Sequence, residues 1–200
     1  MLITGIVCVL AALSLLIYNK VVSDNAAKFA EEAVDELRKL SYPEEDGGEN
    51  KPDDKGKTSD DASNKVTDDP MDTLTVKEYE FIGYLSIPAL RLNLPVMAEW
   101  SYENLNVSPC RYSGLPETDD FVIAAHNYSS HFGFIDSLNE GDTVSFTDVH
   151  AKQINYQVEL IDTLSPTDVK DMTSGEYDLT LFTCTYSGQA RVTVRLNRIK

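Results

Sequence analysis

Residues 41–75 limit what this chain can fold into more than any other part of the sequence. The segment holds eleven Asp or Glu against four Lys, a net charge of −7, and it has almost no large apolar side chains. It cannot bury enough apolar surface to offset the entropy lost on ordering, so the sequence predicts a disordered acidic linker. A globular core is therefore expected only from residues 76–200, which suffice for one domain.

The segment 1–18 carries no charged side chain. An α-helix of this length is roughly 27 Å long, which matches the hydrocarbon core of a bilayer. We interpret the segment as an uncleaved transmembrane anchor. A cleaved signal peptide is the alternative, although no basic residue precedes the run and no small-x-small cleavage site stands out after it.

Residues 19–40 are predicted to form a helical stalk that continues the anchor, with Ser23 as N-cap and with a solvated surface. The linker that follows would span roughly 30–35 Å as a flexible chain. On this interpretation the linker holds the folded domain away from the bilayer while keeping it tethered.

Residues 76–200 consist of short, alternating apolar and polar runs that are separated by turn residues. Eight strands are expected, at 79–87, 90–97, 109–113, 120–126, 142–147, 152–163, 177–184 and 190–199. Short helices are expected at 101–106, 131–138 and 165–172. Many short strands without a strand–helix–strand rhythm predict an all-β domain, either a closed barrel or a sandwich.

Charge and cysteine content exclude several classes of protein. The net charge of −16 argues against nucleic-acid binding, because the chain lacks a basic surface to neutralise phosphates. The predicted domain, residues 76–200, holds seventeen acids against nine Lys or Arg, a net charge of −8. The three cysteines, Cys8, Cys110 and Cys184, are too few for a disulfide-stapled scaffold and form no CxxC pair for structural zinc.

Two strand-like runs end in side chains that can carry chemistry. DFVIAAHN reaches His126, DLTLFTCT reaches Cys184, and Arg191 opens another run seven residues later. Thiolate, imidazole and guanidinium are the groups that acyl transfer through a thioester requires, as nucleophile, proton carrier and oxyanion-stabilising cation. A buried structural thiol is the alternative for Cys184 taken alone.

The ordered set AAHN (124–127), LFTC (181–184) and a downstream Arg that opens the last strand resembles the sortases. The resemblance extends from residue 81 to the C-terminus and includes segments 83–96 and 131–146. It implies an all-β, closed eight-stranded β-barrel. It also implies a plasma-membrane location in a Gram-positive bacterium, with the catalytic domain 76–200 on the extracellular face.

The same resemblance implies roles for individual residues. Cys184 is expected to be the nucleophile, His126 the proton carrier and Arg191 the oxyanion-stabilising cation, with Arg195 as the competitor for the last role. Two neighbours are expected to contact the substrate: Thr183 and Asn127.

The implied reaction cleaves an LPxTG-like sorting signal of a surface protein between Thr and Gly through a thioacyl enzyme. An amine acceptor, either a cell-wall precursor or a pilin Lys, then receives the protein, and no cofactor is needed. Because Met71 replaces the aromatic of the Asp-Pro-aromatic lid found in pilus-building sortases, we expect an anchoring enzyme rather than a pilus polymerase.

Several alternatives stay open from the residues themselves. Acidic residues at 117, 119 and 120, with 168, 171 or 176, could supply oxygen ligands for Ca²⁺. Cys110 is expected to be a half-buried thiol, and a regulatory disulfide with Cys184 is the alternative. For function, the alternatives are a pilus-assembling sortase, a different cysteine transpeptidase or hydrolase, and a non-catalytic envelope binding module.

Overall fold

The computed structural model describes residues 2–41 and 71–200. A single long helix, α1 (Leu2–Ser41), comes first. Nine strands follow: β1 (Leu74–Val76), β2 (Tyr79–Ile87), β3 (Leu92–Met97), β4 (Cys110–Ser113), β5 (Phe121–Ala124), β6 (Thr143–Asp148), β7 (Gln153–Leu164), β8 (Leu179–Cys184) and β9 (Arg191–Arg198). The shorter helical elements are α2 (Tyr102–Leu105), α3 (Val169–Met172) and the 3-10 turns Pro88–Leu90 and Ile135–Ser137.

Eight of the strands close into a barrel. The hydrogen-bonded order is β2-β3-β4-β5-β8-β9-β7-β6, and β6 pairs again with β2. The pairs β3–β4 and β5–β8 are parallel, and the other pairs are antiparallel. The predicted closed eight-stranded barrel is therefore confirmed, and the sandwich alternative is excluded.

The added strand β1 lies on the outer edge of the barrel. It pairs with Tyr79–Phe81 of β2, whereas β6 pairs with the next part of the same edge, from Gly83 onward. Gly83 has φ +147°, and a Cβ at this position would collide with the backbone carbonyl of Thr147. A glycine is therefore required where β2 changes partners.

Three expectations from the sequence differ from the structure. Strand β1 begins inside the predicted linker, whose residues 42–70 lie outside the described residues. The helix expected at 131–138 is only the 3-10 turn Ile135–Ser137. The helix expected from 165 begins at Val169, because the Ser165 N–H donates instead to the Asp168 carboxylate at 3.1 Å and forms a local turn.

The barrel interior is filled by alternate side chains of the strands. Its largest members are fully buried aromatic rings, and Phe121 meets Phe146 edge to face with ring centroids 5.1 Å apart. Leu181 and Leu196 bring the inner faces of β8 and β9 into the same core. This interior packing fixes the strands on whose outer face the candidate site lies.

A second core lies outside the barrel, between α1 and the sheet. We call it the outer cluster; its buried members are Ala33, Leu37, Val76, Phe81, Met97, Leu105, Cys110 and Ala124. One face of α1 is buried from residue 23 onward, at Ser23, Ala26, Ala30, Ala33, Val34 and Leu37. The expectation of a solvated stalk is wrong for this face, since small side chains let the helix approach the barrel closely.

Ser23 also differs from its predicted role. Helix α1 runs without a break from Leu2 to Ser41, so Ser23 lies within the helix and caps no terminus. The apolar run does continue into the stalk, as expected, and α1 is long and apolar enough to cross a bilayer.

If α1 is an integral part of the domain, a charge on its buried face must destabilise the barrel. Ala33 is fully buried in the outer cluster, whereas Ala27 is exposed on the same helix. We expect Ala33→Glu to lower the free energy of unfolding by about 3 kcal/mol, because it buries a carboxylate without a partner. Ala27→Glu is the matched control and should leave stability close to native.

The measurement is denaturant unfolding of the full chain in detergent, followed by the fluorescence of Trp100, the only tryptophan. Equal unfolding midpoints for Ala33→Glu and Ala27→Glu would mean that α1 does not stabilise the barrel.

Candidate functional site

The pairing of three strands brings together the side chains that the sequence singled out. In the parallel pair of β5 and β8, Ala124 is aligned with Phe182, and the Ala125 N–H donates to the Phe182 carbonyl at 3.1 Å. His126 and Cys184 each lie two residues beyond this aligned pair. Because side chains alternate along a strand, both are directed to the same face, outside the barrel.

Arg191 joins them from the third strand. In the antiparallel pair of β8 and β9, Cys184 is directly opposite Arg191. Directly paired residues share one face of a sheet, with Cβ atoms about 5 Å apart. The Arg191 Nη1 donates to the carbonyls of Gly188 and Ala190, at 3.3 and 3.1 Å, which holds the guanidinium against the turn that joins β8 to β9.

Arg195, the competitor, occupies a different environment. It pairs with Thr180, four residues before Cys184 and therefore roughly 13 Å away along the strand. Its side chain is buried, and Nη1 donates to the Thr180 hydroxyl at 3.1 Å and to the Met172 carbonyl at 3.3 Å. The carboxylate of Asp162 lies 3.6 Å from Nε. These contacts give Arg195 a structural role at a distance from Cys184.

A small cavity of about 100 Å³ opens beside Cys184. Asn127 and Asp136 line it, together with Tyr186 from the turn that follows β8. Thr183 also lines the cavity, and its hydroxyl donates to the Ala125 carbonyl at 2.8 Å, so this contact joins β5 to β8. Substrate contacts by Thr183 and Asn127 stay predictions.

Two residues that the sequence did not single out hold the ring of His126. The Oδ1 of Asn106 lies 3.2 Å from His126 Nε2 and also accepts a long bond, 3.5 Å, from the Tyr128 hydroxyl. An amide oxygen only accepts, so this contact puts the proton on Nε2 and leaves Nδ1 to accept one. Tyr128 packs against the imidazole with ring centroids 4.8 Å apart. Partial burial lowers the pKa of His126 below its ordinary value.

His131 lies on the other side of Tyr128. The two ring centroids are 5.5 Å apart, so His126, Tyr128 and His131 form a continuous series of rings. His131 is fully buried, and neither ring nitrogen has a hydrogen-bond partner among the described residues. Burial, aided by the nearby His126, lowers the pKa of His131 to about 4. The imidazole is therefore neutral and packs beneath the loop that follows His126.

Phe182 extends the site on the side away from His131. It occupies the position before Thr183-Cys184, and its ring meets Tyr112 edge to face at 5.2 Å. Tyr112 in turn meets Trp100 edge to face at 5.8 Å. This aromatic row forms an apolar wall on the same outer face of the sheet as Cys184.

Cys110 takes no part in the site. It is completely buried, its Sγ donates to the Ser108 carbonyl at 3.4 Å, and burial raises the pKa of the thiol to about 12. Cys110 is aligned with Ala124 and, through β5, with Phe182. It therefore lies two strand spacings, roughly 10 Å, from β8, beyond the roughly 7 Å Cα separation that a disulfide tolerates. The half-buried thiol and the Cys110–Cys184 disulfide are both excluded.

The acidic residues that could have bound Ca²⁺ have other partners. Glu117 pairs with Lys152 at 2.9 Å, and Asp119 pairs with Arg198 at 3.2 Å. Within residues 2–41 and 71–200, no group of three or more metal-ligating side chains is close enough to hold an ion. The calcium alternative therefore has no support in this part of the chain.

The chain matches one family profile and several solved structures. A family profile described as Sortase domain matches residues 85–199, which include all the strand ends of the site. A search of curated proteins finds no match.

Solved structures of three bacterial proteins are similar to this chain. Sortase C from Clostridium perfringens is 27% identical, with a TM-score of 0.53 over 60% of this chain and 70% of its own. Sortase C1 from Streptococcus agalactiae is 30% identical, with a TM-score of 0.54 over 60% and 68%. Sortase A from Corynebacterium diphtheriae is 27% identical, with a TM-score of 0.56 over 62% of each.

The buried, neutral state of His131 predicts an acid-sensitive stability. The unfolded chain binds a proton near pH 6.5, whereas the folded chain binds it only near pH 4. This contribution to stability is therefore complete above pH 6.5 and is lost as the pH falls toward 4, by about 3 kcal/mol. We expect His131→Phe, which keeps a ring against Tyr128, to make the free energy of unfolding less dependent on pH in this range.

His150→Phe is the matched control, because the His150 side chain is exposed. Denaturant unfolding at a series of pH values measures the difference. If His131→Phe and the native chain have the same pH dependence, His131 does not titrate as its burial requires.

Proposed function

The chain belongs to the sortase family and is therefore a transpeptidase, and from this premise we propose that Cys184 is its nucleophile. The observation that carries the proposal is the register of three strands. Cys184 is directly opposite Arg191, and His126 follows the neighbouring strand, two residues beyond the aligned pair Ala124 and Phe182. This register directs a thiol, an imidazole and a guanidinium to the same outer face of the sheet, which supports the proposal.

In the first step the Cys184 thiol gives its proton to His126, and the resulting thiolate attacks the carbonyl carbon of the Thr in an LPxTG-like signal. A C–S bond forms, and the carbonyl oxygen takes the negative charge. Arg191 stabilises this oxyanion with an N–H donor. When the intermediate collapses, the Thr–Gly C–N bond breaks, His126 protonates the departing amine of Gly, and a thioester remains on Cys184.

In the second step His126 accepts a proton instead of donating one, and Cys184 is the leaving group instead of the nucleophile. An acceptor amine attacks the thioester carbon, gives a proton to His126 and forms a new amide bond as the Cys184 thiolate leaves. The cavity beside Cys184 offers a place for this amine, and the Asp136 carboxylate on its lining favours a group that approaches as a cation. Members of the family are in general independent of cofactors, in agreement with a mechanism carried by side chains alone.

We propose surface proteins with an LPxTG-like sorting signal as substrates and an amine of a cell-wall precursor as acceptor. The apolar part of α1 supports a membrane anchor. With the anchor in the plasma membrane of a Gram-positive bacterium, the barrel lies on the extracellular face, where such acceptors are found.

A pilin Lys is the second candidate acceptor. It is favoured by the similarity to sortases C, one of which is described as pilus-related. A panel of LPxTG-like peptides, incubated with either a Lys-containing pilin peptide or a short peptide amine, separates the two candidates by the mass of the product. Faster transfer to the Lys side chain would assign pilus assembly in place of cell-wall anchoring.

Substitutions in the three-strand site test the proposal. We expect Cys184→Ala to abolish both cleavage and transfer, because no other accessible thiol lies in the barrel. Loss of the proton carrier in His126→Ala should lower kcat/KM by about 10²-fold or more. Loss of the oxyanion donor in Arg191→Ala should lower kcat/KM by about 10²- to 10³-fold. A fluorogenic peptide measures cleavage, and product mass measures transfer.

Arg195→Ala is the matched control, because Arg195 is buried among structural partners. It should lower the unfolding midpoint, while the folded protein keeps far more activity than Arg191→Ala. The assignment is wrong if Cys184→Ala still cleaves the peptide, or if Arg195→Ala loses the chemical step and Arg191→Ala does not.

A further inference from the structure

Helix α1 has two parts that differ in what surrounds them. Residues 3–21 are exposed along their whole circumference, and most of them are apolar. Burial begins at Ser23 and continues on one face to Leu37, where the helix packs against the barrel. The helix does not break between the two parts. The membrane segment and the docked segment therefore move as one rod.

The first buried residue of the rod contacts the loop that follows His126. The Ser23 hydroxyl lies 3.0 Å from the hydroxyls of both Ser129 and Ser130. The loop is closed at its base, where the Phe132 N–H donates to the His126 carbonyl at 3.1 Å. Tyr128 in the same loop packs on the His126 ring. The helix thus holds the loop of the proposed proton carrier directly.

The axial rise of the helix gives the distance of this contact from the end of the apolar segment. Ser23 follows Tyr18, the last residue of the charge-free segment, by five residues, or roughly 8 Å along the axis. Burial raises the pKa of Tyr128, which lies in this loop, and the charge of Tyr18 adds to the effect. The loop after His126 therefore lies at the level of the lipid headgroups.

The acidic segment does not set the distance between the barrel and the bilayer. It joins Ser41, roughly 27 Å farther along the helix than Ser23, to the start of the barrel at Met71. The barrel region has a net charge of −8, so anionic headgroups repel it. The contact with α1 is what keeps the barrel at the membrane, in contrast to the tethered arrangement expected from the sequence.

We propose that α1 is a rigid spacer that fixes the active site at the bilayer surface, so that the enzyme acts on sorting signals held close to the membrane. The inference rests on the proposed function for the reaction itself. It adds the lipid headgroup layer as a second partner. It also requires that the scissile bond of the substrate lie at a set distance from the membrane surface.

The test uses the full-length chain in liposomes with a seven-residue helical insertion between Lys20 and Val21. Seven residues raise the docked barrel by about 10 Å and add nearly two full turns, so the docked face keeps its direction. The matched control carries an insertion of the same length between Gly47 and Gly48, in the acidic segment. Three probes are compared: a soluble LPxTG-like peptide, and the same peptide coupled to a phospholipid headgroup through a short or a long polymer.

All three enzymes should turn over the soluble peptide and the long-polymer probe equally. The insertion after Lys20 should lower turnover of the short-polymer probe by at least about tenfold, because the scissile bond no longer reaches Cys184 in the required geometry. The insertion in the acidic segment should have no effect. Equal turnover of the short-polymer probe by all three enzymes overturns the inference, as does an equal loss in both insertion variants.

Failure of the proposed function has a different signature, since no enzyme would then act on the soluble peptide. In that case, or if the insertion prevents folding, energy transfer from Trp100 to a dansyl-labelled headgroup lipid still measures the height of the native barrel. Strong transfer in the native chain and in the acidic-segment control is expected. Transfer in the native chain that is no greater than in Ala33→Glu, where the buried carboxylate disrupts the packing of α1 on the barrel, overturns the inference.

Discussion

The parallel pairing of β5 with β8 is the constraint on which the site depends. These strands are more than fifty residues apart in the chain, and the proposed catalytic residues His126 and Cys184 each lie two residues past the aligned pair of Ala124 and Phe182. The Thr183 hydroxyl adds a bond to the Ala125 carbonyl at the point where the ladder ends. Because β9 returns antiparallel to β8, its first residue, Arg191, is placed opposite Cys184. The proposed catalytic residues are thus positioned by the register of the sheet rather than by long loops.

Two cores support this register from opposite faces. The barrel interior holds the inner side chains of β5, β8 and β9, and the outer cluster holds Ala124, with Phe182 packed against it. Helix α1 contributes Ala33 and Leu37 to the outer cluster, so it packs on the same side of the sheet as Ala124. Helix α1 also contacts the loop after His126, through the hydroxyl of Ser23.

Much of the barrel could be predicted from the sequence, because half-buried strands alternate apolar and polar residues. Strand β1 could not, since three residues in an acidic context give too short a pattern. The buried face of α1 did leave a signal in the spacing of Ala26, Ala30, Ala33 and Leu37, but small side chains are equally common on solvated helices. His131 and Asn106 carried no local signal, because their contacts with Tyr128 and His126 exist only after the loops fold.

The identity of the nucleophile is the central claim, and trapping of the acyl enzyme tests it most directly. The full-length chain is mixed with an LPxTG-like peptide in the absence of acceptor amine, quenched in acid within the turnover time, and digested for mass spectrometry. A thioester of the peptide fragment ending in Thr is predicted on the digest peptide that contains Cys184, and it should disappear when an amine is added. Cleavage of the sorting peptide with no adduct on Cys184, or with the adduct on another residue, would contradict the account.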